Sequence, residues 1–307
     1  MPEATNRIPV RVDGRELLLS NLDKVLYPAA GFTKGEVIDY YTRIAPTLLP
    51  HLAGRPLTVK RYPNGVDGNS FFEKNASRGR PSWVRTVRLP APGSTKNRDE
   101  IDYLVIEELA AVVWLANLAA LELHIPQWTV GPRGGVREAD LLVIDLDPGP
   151  PASIVDCSRV ALRIRDYLAQ DGLTAFAKTS GSKGMQLSAP IAPAGHGRTS
   201  EYAKAMAQAL AEQDERVLWQ MTRALRPGKV LVDWSQNNAA KTTVCVYSLR
   251  ARDQPTVSTP VTWAEVEACA DGRELRFTAP QVLARVQELG DLFAGTLTDE
   301  HRAPLPG

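Results

Sequence analysis

The chain has 307 residues, is 44% hydrophobic and carries a net charge of +1 at pH 7, which is enough apolar chain to bury a sizeable core. Its three cysteines, Cys157, Cys245 and Cys269, are an odd number at no metal-like spacing, which excludes a disulfide framework and a zinc site and points to a reducing cytoplasm. The longest apolar stretch, Leu109 to Leu121, contains Asn117 and falls short of the roughly 20 residues that cross a bilayer, and the opening "MPEATNRIPVRVDGREL" lacks the apolar core of a signal peptide.

In chain order, Thr33 and Glu36 form a capping box before "GEVIDYYTRIA", which predicts a helix from about Lys34 to Ala45, stopped by Pro46. "PLTVKRYP" then reads as a strand. From Arg55 to Arg88 eight Lys/Arg face two acids, a net of +6 that leaves −5 for the remainder; such a run is either a phosphate-binding surface or a solvated face. "IEELAAVVWLANLAALEL" reads as an apolar helix and "ELHIPQW" leaves it as extended chain. "LLVIDLDPG", Leu141 to Gly149, is an apolar strand that ends in two carboxylates. Ser153 and Asp156 open the helix "IVDCSRVALRIRDYLAQ", and "TAFAKTSGSKGMQLSAP" reads as two strands around a Gly-rich turn. A helix, "SEYAKAMAQALAEQDE", precedes the strands "KVLVDWSQ" and "TTVCVYSLR", and Thr262/Glu265 and Thr278/Gln281 cap two final helices. With no repeat and no long linker, this mixture predicts one α/β (α+β) domain over 1–307.

Asp145 and Asp147 share one face of their strand, opposite Leu142, Ile144 and Leu146. Two like charges side by side call for a bound cation, a shared proton or open water. As hard oxygen donors they suit Mg²⁺ or Mn²⁺. Asp233 ends another apolar strand, so three carboxylates at strand ends could converge for metal-assisted phosphoryl transfer. The turn "TSGSKGM" supplies the Ser180 and Ser182 hydroxyls, the Lys183 ammonium, and Gly181 and Gly184, which let backbone N–H groups point into one concavity. It is not a Walker A loop.

The strings "LSNLDKVLYPAAGFTK", "VKRYPNGVDGNSFFEK", "LELHIPQW", "IDLDPG", "TSGSKG", "VDWSQNN", "KTT" and "YSLRAR" resemble, in order, the polymerase module of bacterial ligase D and its stand-alone relatives in the archaeo-eukaryotic primase superfamily. The resemblance spans about Leu19 to Arg252. It implies a primase-like catalytic core of mixed sheets flanked by helices, with a DNA-end-binding part over about 1–130, a metal and nucleotide part over about 131–252, and C-terminal helices over about 253–300. It implies a template-directed nucleotidyltransferase that fills gaps and joins DNA ends, prefers ribonucleotides and uses two Mn²⁺ or Mg²⁺ ions.

Position by position, the resemblance makes Asp145, Asp147 and Asp233 the catalytic metal ligands. Lys60, His124, Ser180, Ser182, Lys183, Gln236, Lys241 and Arg250 bind the NTP or dNTP, with Ser180 near the sugar hydroxyls and Lys183 on phosphate. Phe71 and Phe72 stack on template or a splayed base, with Arg61, Asn64 and Arg226 also on DNA. Asn21, Lys24 and Lys34 receive a 5′-phosphate, and Lys34 independently stands where a helix N-terminus favours an anion. One departure is Gln186, where the family has His; Gln hydrogen-bonds but carries no proton or charge. No Lys-x-Asp-Gly ligase nucleophile occurs, so the expected partners are a separate DNA ligase and a Ku-type end-binding protein, for a monomer without membrane contact in the cytoplasm, at the nucleoid. The competing readings are a catalytically weak DNA-end-binding module, a haloacid-dehalogenase-type phosphatase with Asp145 as nucleophile, and a nucleotide-sugar glycosyltransferase.

Overall fold

The capping box at Thr33 forms as its residues dictate: Thr33 accepts from the Glu36 amide, and Thr33 N donates to the Glu36 carboxylate at 2.7 Å, which satisfies donors that a helix start leaves over. The structure is a computed structural model and describes residues 7–90 and 99–306. Helix α1 (Lys34–Leu52) runs past the expected stop, with Pro46 and Pro50 both inside it. An interior proline costs about 3 kcal/mol. The buried face outweighs that: Tyr40, Tyr41, Ile44, Leu48 and Leu52 are at most 1% exposed, and the two tyrosine hydroxyls donate to Tyr247 O and Leu121 O.

The second apolar helix is shorter than expected. Helix α2 (Leu109–Asn117) ends, Ala119 adopts a φ of 55°, and Ala120–Ile125 continues as a strand. The alternation Leu121, Leu123, Ile125 against Glu122 and His124 is a strand period, and pairing with Thr58–Arg61 on one side and Thr243–Val244 on the other makes use of it. Phe71–Glu73 completes this antiparallel sheet at its outer edge. The expected strand "TTVCVYSLR" is regular only at Thr243–Val244. Beyond it the backbone is pinned by hydroxyls instead of a ladder: Leu123 N donates to Ser248 Oγ and Leu249 N to Tyr41 OH, with Tyr247 at a φ of 64°.

The second sheet is built on the aspartate strand, Val136–Pro148, which lies between Met185–Ala194 and Val230–Asp233, antiparallel to both. Phe176–Thr179 and then Pro260–Val261 extend it on one side, and Val217–Leu218 on the other. Helices α3 (Ile154–Gln170), α4 (His196–Gln213) and α5 (Trp263–Ala270) bury one face, where Leu142, Ile144 and Leu146 meet Val160, Ile164, Met206 and Val266. Helix α6 (Ala279–Leu289) returns to the first core beside α1. The capping boxes at Ser153, Thr262 and Thr278 all form. Among the described residues no helix is long and apolar enough to cross a membrane.

Candidate active site

On the sheet face opposite the helices, one rung of side chains crosses four strands. Asp233 pairs with Asp145, Asp145 with Gln186, and Gln186 with Lys178. Directly opposed residues put their side chains on the same face, and Asp147, two residues on from Asp145, shares it. Burial and the Asp147 charge push the Asp145 carboxyl up to about 7, against the hydrogen bond it accepts from Gln186. Asp233 Oδ1 accepts from Ser235 N and Ser235 Oγ, and Oδ2 from Gln236 Nε2 at 2.7 Å. The sheet register thus collects three carboxylates, yet among the described residues no three His, Cys, Asp or Glu side chains close on a single metal position. The donor chemistry nevertheless fits a hard divalent cation, which would relieve the repulsion between Asp145 and Asp147.

Beside the rung an open pocket of about 210 Å³ is lined by His124, Asp145, Asp147, Ser180, Ser182, Lys183, Gln186, Gln236 and Arg250. Thr242, Thr243, Val244 and Arg252 also line it, and sequence reasoning had singled out none of these four. The Gly-rich turn is closed on itself. Ser180 Oγ accepts from Ser182 N and Gly184 N, so these amides are not turned outward as the glycines had implied. Gly184 is required by packing: a Cβ there would stand 2.1 Å from Leu146 O, and one at Gly181, whose φ is 67°, would stand 2.6 Å from the Val257 carbonyl carbon. Lys183 is exposed.

Glu122 escaped the sequence reading because a lone acid in "LELHIPQW" looks like a solvated strand residue. It is 4% exposed and joins two pocket residues far apart in sequence. His124 Nε2 lies 3.0 Å from Glu122 Oε2, Arg250 Nε is ion-paired to Oε1 at 3.3 Å, and Ala251 N donates to Oε1. Burial acts to raise the Glu122 pKa, but the hydrogen bond with His124 and the Arg250 charge hold it down to about 2. Burial lowers the His124 pKa despite Glu122. Arg250 Nη1 also donates to Ser180 O at 2.8 Å, tying this cluster to the turn.

The other expected residues fall around the pocket. Lys60 is outside its lining, with Nζ 5.4 Å from the Phe72 ring centre; Lys241 Nζ donates to Ser235 Oγ, which in turn donates to Asp233. Phe71 and Phe72 are 46% and 55% exposed, and the Phe72 ring lies 5.5 Å from that of His124. Arg61 is engaged by Glu73 at 2.8 Å, with its guanidinium over Phe71. Lys24 Nζ donates to Pro63 O and Asn64 Oδ1, while Lys34 Nζ donates to Ser20 O. Lys34 N donates to Lys24 O, so the two lysines adjoin; burial, followed by the Lys24 charge, lowers Lys34 to about 8. Asn21 is exposed at a φ of 54°. Arg226 is half-buried outside the pocket, its carbonyl packed on Gly149.

A mixed α/β fold with acids gathered beside a basic pocket is the build of a nucleotide-handling enzyme. The family model for the LigD primase-polymerase domain matches residues 33–293, and the chain belongs to that family, whose homologues are DNA-directed nucleotidyltransferases. It is 44% identical over 278 residues to the multifunctional non-homologous end joining protein LigD of Mycolicibacterium smegmatis, covering 90% of this chain and 35% of that protein. It is 31% identical to the bifunctional LigD of Bacillus subtilis, covering 94% of this chain and 46% of that one. The chain therefore spans a third to a half of the length of these relatives. The solved polymerase domain of Mycobacterium tuberculosis ligase D, in complex with DNA, superposes with a TM-score of 0.86 at 41% identity, covering 92% of this chain and 98% of that domain.

Proposed function

We propose that this chain is a template-directed polymerase of non-homologous end joining that fills gaps and extends DNA ends, prefers ribonucleotides, and works with two divalent cations, Mn²⁺ or Mg²⁺. The observation that carries this reading is the placement of Asp145 opposite Asp233, with Asp147 alongside, next to a pocket lined by His124, Ser180, Lys183 and Arg250. Acids for cations and bases for a triphosphate then stand side by side. Asp145, Asp147 and Asp233 would hold the cations, which when bound would neutralise charge on the reacting phosphate.

The chain's own residues have separable tasks in this reading. Lys183 and Arg250 attract the triphosphate, with His124, Lys60, Gln236, Lys241 and Ser182 around it. The Ser180 oxygen accepts from two amides, which leaves its proton to donate to a sugar hydroxyl, and a site that binds a hydroxyl discriminates against its absence. Phe71 and Phe72 stack on bases beside the Arg61 and Lys60 cations. Lys24, Lys34 and Asn21 receive a downstream 5′-phosphate, and Asn64 and Arg226 contact the duplex. The 1–307 unit acts as one domain and as a monomer, with a Ku-type protein and a DNA ligase activity completing the repair at the nucleoid in the cytoplasm. The deciding experiment is primer extension on a 5′-phosphorylated gapped duplex with NTPs or dNTPs and either metal. Extension favouring NTPs supports the reading; no metal-dependent addition under any of these conditions overturns it.

A further inference from the structure

Lys178 is 4% exposed and lies outside the pocket lining. Its ammonium directs all three of its donors inward: to Gln186 Oε1 at 2.5 Å, to Ser258 Oγ at 2.7 Å and to Val244 O at 3.0 Å. An ammonium has three donors and no acceptor, so Lys178 cannot turn to a phosphate without abandoning one of these partners. Its charge also acts on Asp145 through space, and its bonded route to the site passes through Gln186. A side-chain amide has one accepting end and one donating end. With the accepting end held by Lys178, the donating end must face Asp145, and Gln186 Nε2 donates to Asp145 Oδ1 at 2.9 Å. The flipped amide would set NH₂ against ammonium and carbonyl against carboxylate, two repulsive contacts, so the neighbours decide the orientation.

We propose that Lys178 and Gln186 form a positioning relay for Asp145: the buried ammonium fixes the amide, and the amide fixes the rotation of the carboxylate. The relay rests on the reading of Asp145 as a metal ligand. Oδ1 is held along the sheet, and Oδ2 has no protein hydrogen bond among the described residues. Outer partners of this kind orient metal ligands in many proteins, and their loss typically lowers metal affinity about 10- to 100-fold. Gln186, which stands where the resembling family has His, is on this view a component of the acid strand's support and not first a nucleotide contact. Lys178 contributes no group to the pocket, so its role is positional and not catalytic.

The test is a double-mutant cycle read by Mn²⁺ binding, using electron paramagnetic resonance on the protein without nucleotide or DNA, alongside melting temperature. Lys178→Met and Gln186→Met should each weaken Mn²⁺ binding by roughly 10-fold. The double variant should be no weaker than Gln186→Met alone, because the second substitution cuts a link already cut. Additive losses would mean that Lys178 acts independently and would overturn the relay, as would wild-type Mn²⁺ affinity in folded Lys178→Met. Should Lys178→Met fail to fold, Lys178→Gln, which keeps a donor for Val244 and Ser258, takes its place under the same two expectations. Asp145→Ala separates the layers: if wild type binds Mn²⁺ and Asp145→Ala abolishes it while both relay variants are neutral, only the relay fails. If Asp145→Ala binds as wild type does, the metal reading falls and takes the relay with it.

Discussion

The two sheets carry candidate functional surfaces of opposite kinds. In the sheet built on the aspartate strand, Asp233, Asp145, Gln186 and Lys178 have protein partners before anything binds. At the outer edge of the other sheet, Phe71 and Phe72 stand exposed, with Arg61 and Lys60 cations 5.3 and 5.4 Å from their rings and the His124 ring 5.5 Å from that of Phe72. Groups that must meet a reacting atom at fixed geometry are held by their neighbours. On the proposed reading, Phe71 and Phe72 are left free to accept a base, because stacking tolerates every π-face. Glu122 belongs to the first kind although it sits in the same sheet as Phe71 and Phe72, since it braces His124 and Arg250 from behind.

The contrast is broken most directly at the acids. Asp145→Ala and Asp233→Ala should each lower single-turnover nucleotide addition by a factor of a thousand or more, about 4 kcal/mol of barrier, with DNA affinity in a gel-shift titration nearly unchanged. Substantial extension by Asp233→Ala would remove it from the chemistry.

Glu122 should show an effect on both folding and nucleotide binding. Removing one partner of a buried ion pair commonly costs about 3–5 kcal/mol, so Glu122→Ala should melt well below wild type, while Glu122→Gln should fold and show a raised nucleotide KM with a smaller change in kcat. The carboxylate's pKa is held down to about 2 in the folded chain. Its stabilisation is therefore fully present above the ordinary glutamate value near 4.5 and lost as pH falls toward 2. The stability gap between wild type and Glu122→Gln, followed by urea unfolding at several pH values, should accordingly narrow as pH falls through that range; a gap constant with pH would rule out the carboxylate's charge as its source.

The free surfaces should lose binding without losing stability. Phe72→Ala should weaken affinity for a template overhang by about 1–3 kcal/mol and leave the melting temperature near wild type; a large drop in melting temperature would make Phe72 a packing residue. The smallest effect concerns the 5′-phosphate. Wild type should prefer a phosphorylated gap by about 1–3 kcal/mol, and Lys24→Ala/Lys34→Ala should erase the preference at fixed salt. Because burial and Lys24 lower Lys34 to about 8, its charge is present below that pH and lost above it, so the preference should decline as pH rises from 7 to 9. Equal binding of both duplexes by wild type would exclude the pocket.

The aspartate strand was legible because a two-residue period fixes which side chains share a face, and apolar Leu142, Ile144 and Leu146 left no doubt about the buried one. The four capping boxes were legible because each involves residues only three apart. What could not be read depends on contacts distant in sequence. Helix α1 continues through Pro46 because tyrosine hydroxyls reach Leu121 and Tyr247, 80 and 207 residues away. Glu122 became visible only when the chain brought Arg250 against it, and Lys178 only when Gln186 stood between it and Asp145. Phe71 and Phe72 carry no local mark of exposure; from composition alone they belong in a core.

The Gly-rich turn also limits how this site can be re-engineered. With a Cβ at Gly184 standing 2.1 Å from Leu146 O and one at Gly181 2.6 Å from the Val257 carbonyl carbon, the turn is wedged between two backbones and has no slack for a larger residue. Ser182, half-buried, and Lys183, exposed, are the turn positions where side chains have room. A library randomised across 180–184 should therefore return glycine at both tight positions in every active clone, whereas variation at Ser182 and Lys183 is limited by their proposed contacts with the triphosphate and not by space, so any change of nucleotide selectivity won from this turn will come from those two side chains.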